Sequence, residues 1–141
     1  MKKILIDTNI VLDLLAKREP YYLDSAKIFS MADKLELKIF ISSLTIAIAN
    51  YILSKYTNSV EARNILRKFK LLVEVLPLDD KIIGLALVDD EFSDFEDGIQ
   101  YFTAFESNLD SIVTRNLKDF RKSKLPVFTP EQFLSSLRTN F

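Results

Sequence analysis

The chain has no histidine and no cysteine among its 141 residues, and only two glycines, Gly84 and Gly98. Without imidazole there is no Ser-His-Asp relay and no histidine-bound zinc. Without thiols there is no disulfide, thiolate nucleophile, zinc ribbon or cysteine-held iron–sulfur cluster. Two isolated glycines build neither a G-x-G-x-x-G turn nor a P-loop. No stretch approaches the roughly 18 apolar residues of a membrane span. The run behind Lys2-Lys3 is cut at Asp7, unlike a secretory signal, so a cytoplasmic protein with no membrane partner is expected. Formal net charge is -1, so any nucleic acid must be met by a local patch rather than a global basic field.

What remains is carboxylates, amides, hydroxyls, lysine and arginine. An enzyme built from these points to chemistry around a hard metal ion. With 48% apolar and 28% charged residues the composition is that of a globular protein. The length suits one domain, expected to span residues 1–141.

The first five residues after Met1, Lys2-Lys3-Ile4-Leu5-Ile6, read as a buried strand, followed at once by Asp7-Thr8-Asn9. A short helix is expected from Ile10 to Ala16, and a longer one from Tyr21 to about Leu37 with Leu23, Ala26, Ile28, Phe29, Ala32 and Leu35 as its apolar stripe. A second strand, Lys38 to Ile41, ends at the capping pair Ser42-Ser43. Leu44–Tyr56 reads as a buried helix and Val60–Lys70 as an amphipathic one with a basic outer face. A third strand lies within Leu71–Leu76. Asp79-Asp80 caps a helix to about Val88, and Asp89–Glu96 is an acidic linker before a helix from Phe95 to Glu106. Ser111–Thr114 is a fourth strand, Arg115–Lys124 a basic loop and Pro126–Phe128 a fifth strand, before a helix opened by Thr129-Pro130-Glu131. Alternating strands and helices imply a parallel sheet covered on both faces.

In such a sheet, ligands bind at the carboxyl ends of the strands. Asp7 follows the first strand and Asp119 lies shortly after the fourth, while Asp94, Glu96 and Asp97 open the helix that leads into the fourth strand, which runs towards or away from that edge depending on its packing. Asp94 and Asp97 share a helix face. Each acid also has a plain structural reading. Asp7, Thr8 and Asn9 are good N-caps, and Ser93 with Glu96 resembles a capping box, acids in a first turn complementing the helix dipole. Asp97 lies deeper, beside Gly98, which leaves room for approach. Several carboxylates at one edge repel unless a cation joins them. Mg²⁺ or Mn²⁺ suits an oxygen-only site and assists displacement at phosphorus without histidine.

Four segments, in order along nearly the whole chain, resemble the PIN domain, in particular the VapC-type toxin nucleases of bacterial toxin–antitoxin pairs. They are Ile4-Leu5-Ile6-Asp7-Thr8-Asn9, Ile41-Ser42-Ser43-Leu44-Thr45-Ile46-Ala47, Asp94-Phe95-Glu96-Asp97-Gly98-Ile99-Gln100, and Ile112-Val113-Thr114-Arg115-Asn116-Leu117-Lys118-Asp119-Phe120. The resemblance implies a three-layer α/β/α fold with a central, mostly parallel five-stranded sheet, and a metal-dependent endoribonuclease, the toxin of a type II toxin–antitoxin pair. Asp7, Asp97 and Asp119 then match the catalytic, metal-binding acids, with Asn116, Asp94 and Glu96 as further candidates. Asn9 and Thr114 match polar supports. Arg115, Lys118, Arg121, Lys122 and Lys124 are candidates for RNA contact; their plain reading is a solvated loop. The family's helix glutamate falls on Ile48, which cannot ligate a metal, and Asn116 stands where many members carry Asp. Lower metal affinity is expected from both. The alternative is a PIN fold acting as an RNA-binding or protein-interaction module with a degraded site. The resemblance also implies an antitoxin partner and a homodimer, for which Tyr21, Tyr22, Tyr51, Tyr56 and Phe29 are candidate contacts; the plain reading of each is core.

Overall fold

The structure, a computed structural model, describes residues 1–138; the expected domain span of 1–141 runs past them, so residues 139–141 of it lie outside the described residues. The five strands are β1 (Lys2–Ile6), β2 (Leu37–Ser42), β3 (Glu74–Leu76), β4 (Ser111–Val113) and β5 (Val127–Phe128). The helices are α1 (Thr8–Leu15), α2 (Tyr22–Asp33), α3 (Ser43–Tyr56), α4 (Ser59–Phe69), α5 (Asp80–Val88), α6 (Phe95–Glu106) and α7 (Pro130–Arg138), with 3₁₀ turns at Lys70–Leu72 and Leu117–Phe120.

Every strand pairing is parallel, in the order β3-β2-β1-β4-β5. The strands alternate by face, as their period of two demands. Ile4, Ile6, Ile39, Ile41 and Val113 pack on one side with residues of α1, α2, α3, α4 and α7. Leu5, Phe40 and Ile112 pack on the other with Tyr101 and Ala104 of α6 and with Phe92 and Phe120. Helix α5 lies against α6 through Ile82, Ala86 and Ile99. These are the three layers expected. Each fully buried Ile or Leu contributes about 1.5–3 kcal/mol by leaving water.

Helix α2 stops at Asp33, short of the expected Leu37. Leu35 takes a left-handed φ of 60°. Its N–H donates to Ala32 C=O at 3.0 Å, and the Glu36 N–H returns to Met31 C=O at 2.9 Å. This is a Schellman closure, with leucine where glycine is usual. Leu35 is thereby turned out to solvent, 77% exposed, and Leu37 starts β2 instead. Helices α1 and α6 end by the same pattern at Lys17 and Asn108. Gly98 is used otherwise: a Cβ there would stand 3.6 Å from Ala86 Cβ, so it faces α5 rather than opening space beside Asp97. Phe29, a candidate interface aromatic, is a core residue at 2% exposure, its ring edge-on to Phe69. Tyr21, Tyr51 and Tyr56 are exposed and Tyr22 half-buried.

The strand order reverses direction at β1, with β2 on one side and β4 on the other. The crevice outside the carboxyl end of β1 is therefore the topological switch point, and Asp7 stands there. Among the described residues no helix is long and apolar enough to cross a membrane.

Candidate functional site

Asp7 is extended (φ -69°, ψ 154°) and caps α1, its Oδ1 accepting the Thr8 N–H at 2.8 Å. Its own N–H donates to Val113 C=O at 3.0 Å, carrying the β1–β4 pairing one residue further. Oδ2 accepts the Thr114 hydroxyl at 2.8 Å. Thr114 in turn accepts the Asn116 N–H at 3.1 Å, so one buried hydroxyl ties Asp7 to the loop carrying Asn116 and Asp119. Burial raises the Asp7 carboxyl above its ordinary value; the bonds from Thr114 and Thr8 oppose this, the Asp119 charge adds to it and Arg115 opposes it.

A cleft of about 200 Å³ opens here, lined by Asp7, Thr8, Asn9, Asp94, Glu96, Asp97, Gln100, Asn116 and Asp119, with an apolar wall of Leu12, Ile48 and Ile52. All the acids singled out in the sequence thus converge. Asp119 is held half-buried in the 3₁₀ turn Leu117–Phe120, its N–H bonded to Asn116 C=O at 3.1 Å. Asp94, not Ser93, is the N-cap of α6, its Oδ1 accepting the Glu96 N–H at 3.0 Å, so the expected capping box does not form. Asp97 follows in the first turn. Its carboxyl is pushed up to about 7, first by burial and then by the charges of Asp7, Asp94, Asp119 and Glu96. Burial and the surrounding carboxylates together favour a proton on Asp97 near neutrality.

Two cleft or near-cleft groups carried no functional reading in the sequence. Gln100, one turn after Asp97, donates from Nε2 to Thr45 Oγ1 at 3.0 Å and to Thr8 Oγ1 at 3.3 Å, and the two hydroxyls are 2.9 Å apart. Gln100 is 2% exposed and its Oε1 has no protein partner. The signal was its helical spacing from Asp97. The second is Asp13, fully buried on α1 between two leucines. Arg115 approaches it with Nε 2.9 Å from Oδ2 and Nη2 3.2 Å from Oδ1, and its guanidinium lies 3.9 Å from the Tyr21 ring centre. Burial still raises the Asp13 carboxyl, against the opposing charges of Arg115 and Arg18.

Arg115 is thus occupied by Asp13 and lines a neighbouring cavity rather than the acidic cleft. Lys118, Arg121, Lys122 and Lys124 are exposed and line neither. Ile48 lines the cleft, half-buried.

Among the described residues no three acids are set together as a ready metal cage. The donor chemistry nevertheless suits a hard cation that keeps most of its waters and takes one or two carboxylates. Asp7 retains a lone pair on each oxygen beyond its two hydrogen bonds, Asn116 offers a carbonyl, and the charge that lifts Asp97 is what a cation would relieve.

A family model described as PIN domain matches residues 3–118. Among solved structures, VapBC from Salmonella typhimurium bound to DNA is 20% identical with a TM-score of 0.69, the alignment covering 92% of this chain and 99% of that one. FitAcB from Neisseria gonorrhoeae is 19% identical with a TM-score of 0.68, covering 91% and 98%. A toxin–antitoxin complex from Klebsiella pneumoniae is 26% identical with a TM-score of 0.65, covering 90% and 97%. No curated protein matches the sequence.

Proposed function

Because this chain belongs to the PIN domain family, we propose that it is a metal-dependent endoribonuclease acting as the toxin of a type II toxin–antitoxin pair, with Asp7, Asp97 and Asp119 as its catalytic acids. The observation that carries the reading is the convergence of these three acids on one cleft at the β1 switch point, with the Asp97 carboxyl lifted to about 7 by burial and then by its acidic neighbours. A bound Mg²⁺ or Mn²⁺ supplies charge neutralisation and Lewis acidity toward a phosphodiester. The chain's own residues do the rest. Thr114 and the Thr8 N–H fix the Asp7 carboxylate in orientation. Asn116 and Asp119 are held by the loop bonded to Thr114. Asp97 can take up or release a proton near neutral pH. Leu12, Ile48 and Ile52 keep one wall dry, which strengthens the electrostatics within.

The RNA strand approaches over the exposed Lys118, Arg121, Lys122 and Lys124; Arg115 serves the fold through Asp13. A small antitoxin covering the cleft, and pairing of two copies of the chain, complete the proposed toxin. Asn9 supports the site from the first turn of α1.

Ile48 favours a second reading, a PIN-fold RNA-binding or interaction module, since an apolar side chain faces the cleft where the family glutamate is expected. Calorimetry with Mn²⁺ separates the two. The nuclease reading predicts Mn²⁺ binding lost in Asp7→Asn and tightened in Ile48→Glu. No Mn²⁺ binding, with single-stranded RNA still bound, selects the module.

A further inference from the structure

Asn116 does not close the acidic cleft; it also lines a second cavity, of about 480 Å³, shared with Tyr21, Asp24, Arg115 and Glu131. Its wall is rigidly built. The Arg115 guanidinium stacks 3.9 Å from the Tyr21 ring centre and is pinned by buried Asp13 at 2.9 Å. Arg18 also faces Asp13, at 3.9 Å, so two guanidiniums share one carboxylate. The tyrosine stays 42% exposed, offering a flat π-surface held in place from behind. Asp24 and Glu131 are paired with no cation among the described residues.

We propose that this cavity binds one nucleobase of the RNA whose phosphodiester enters the acidic cleft, and that the base is guanine. The proposal rests on the nuclease reading. Single-stranded RNA is recognised by bases splayed onto aromatic or guanidinium planes and hydrogen-bonded along their edges. Tyr21 backed by Arg115 supplies the plane. Asp24 and Glu131 repel a phosphate but accept N–H groups, and ionised carboxylates are acceptors only. Guanine presents N1–H and its N2 amino group side by side, a matched pair for one carboxylate. Adenine and cytosine set a ring-nitrogen lone pair beside their amino group, and uracil flanks its single N–H with carbonyls; both arrangements meet a carboxylate with repulsion. A basic side chain also answers to acids, but a cation already holds one face of Tyr21, and Asn116 joins the cavity to the site that receives the phosphodiester.

The test is titration of the full-length protein, in EDTA, with the four nucleoside 5′-monophosphates, followed by NMR. EDTA takes the metal and the chemistry out of the measurement. GMP should bind about tenfold more tightly than AMP, CMP or UMP, a difference set by one well-placed pair of charge-assisted hydrogen bonds. Tyr21→Ala and Asp24→Asn should each remove the preference, as should Glu131→Gln at an exposed position that does not endanger folding, while Asp7→Asn keeps it. A guanine preference in a protein that cleaves no RNA would keep this cavity and reject the nuclease reading. Equal binding of all four nucleotides, or a preference untouched by the three variants, overturns the proposal. So does displacement of GMP by N-acetyl-arginine amide at lower concentration, which would assign the cavity to a basic protein segment.

Discussion

The Thr114 hydroxyl stands 2.8 Å from Asp7 Oδ2 and both residues are buried, so the bond fixes the direction in which the site's first carboxylate points. Two elements at the sheet's switch point, β1 and β4, are joined by it beyond their backbone ladder. Thr114→Val keeps the shape and removes the donor, leaving a buried carboxylate oxygen short of a partner. A loss of about 1–3 kcal/mol is expected in urea denaturation. Thr114→Ser should recover most of it.

Asp97 gives a pH dependence with a definite sign. Its folded pKa of about 7 lies above the ordinary value of 3.8. The neutral carboxyl therefore favours the folded state fully below the unfolded pKa, and that advantage is lost as pH rises through about 7. In metal-free buffer, the stability of the wild type relative to Asp97→Asn should fall between pH 4 and pH 8, as measured by denaturation at each pH. A relative stability independent of pH would remove the charge crowding.

The Arg115–Asp13 pair should behave as structure. Arg115→Ala leaves a fully buried carboxylate with Arg18 alone, 3.9 Å away, and should cost up to about 3–5 kcal/mol, the scale of breaking a buried pair. Adding Asp13→Asn should return part of that stability, since the orphaned charge is gone. Thermal unfolding of the two variants and the double variant measures the coupling.

Gly98 offers a gain. It sits inside α6 with room for a methyl group 3.6 Å from Ala86, an ordinary contact. Gly98→Ala should be neutral or stabilise by up to about 1 kcal/mol through helix propensity. Calorimetric melting checks it.

The parallel sheet was legible because strands of two to six residues carry near-continuous apolar runs, and their helices carry stripes; Ile4, Leu5 and Ile6 show this most clearly. Asp7 and Asp119 were legible as acids beside the carboxyl ends of their strands, whereas Asp97 was tied to them only by the family resemblance, because the direction in which its helix packs decides which edge it reaches. The end of α2 was not legible, because Leu35 stands in a left-handed conformation with no glycine to announce it. Nor was the sharing-out of charge. Arg115 looked like one member of a basic run, and only three-dimensional packing brings it to Asp13, 102 residues earlier. Gln100 was hidden for a related reason: its partners, Thr8 and Thr45, lie 92 and 55 residues away in sequence.

The central claim is that the acids around Asp7 cut RNA with a divalent ion. The most direct measurement is cleavage of single-stranded RNA by purified protein with Mn²⁺, beside Asp7→Asn and Asp97→Asn. The account predicts Mn²⁺-dependent cleavage by the wild type, abolished by EDTA, and about 100-fold or more slower in each variant, the scale of losing one electrostatic partner in a transition state. Cleavage at undiminished rate in both variants would contradict it.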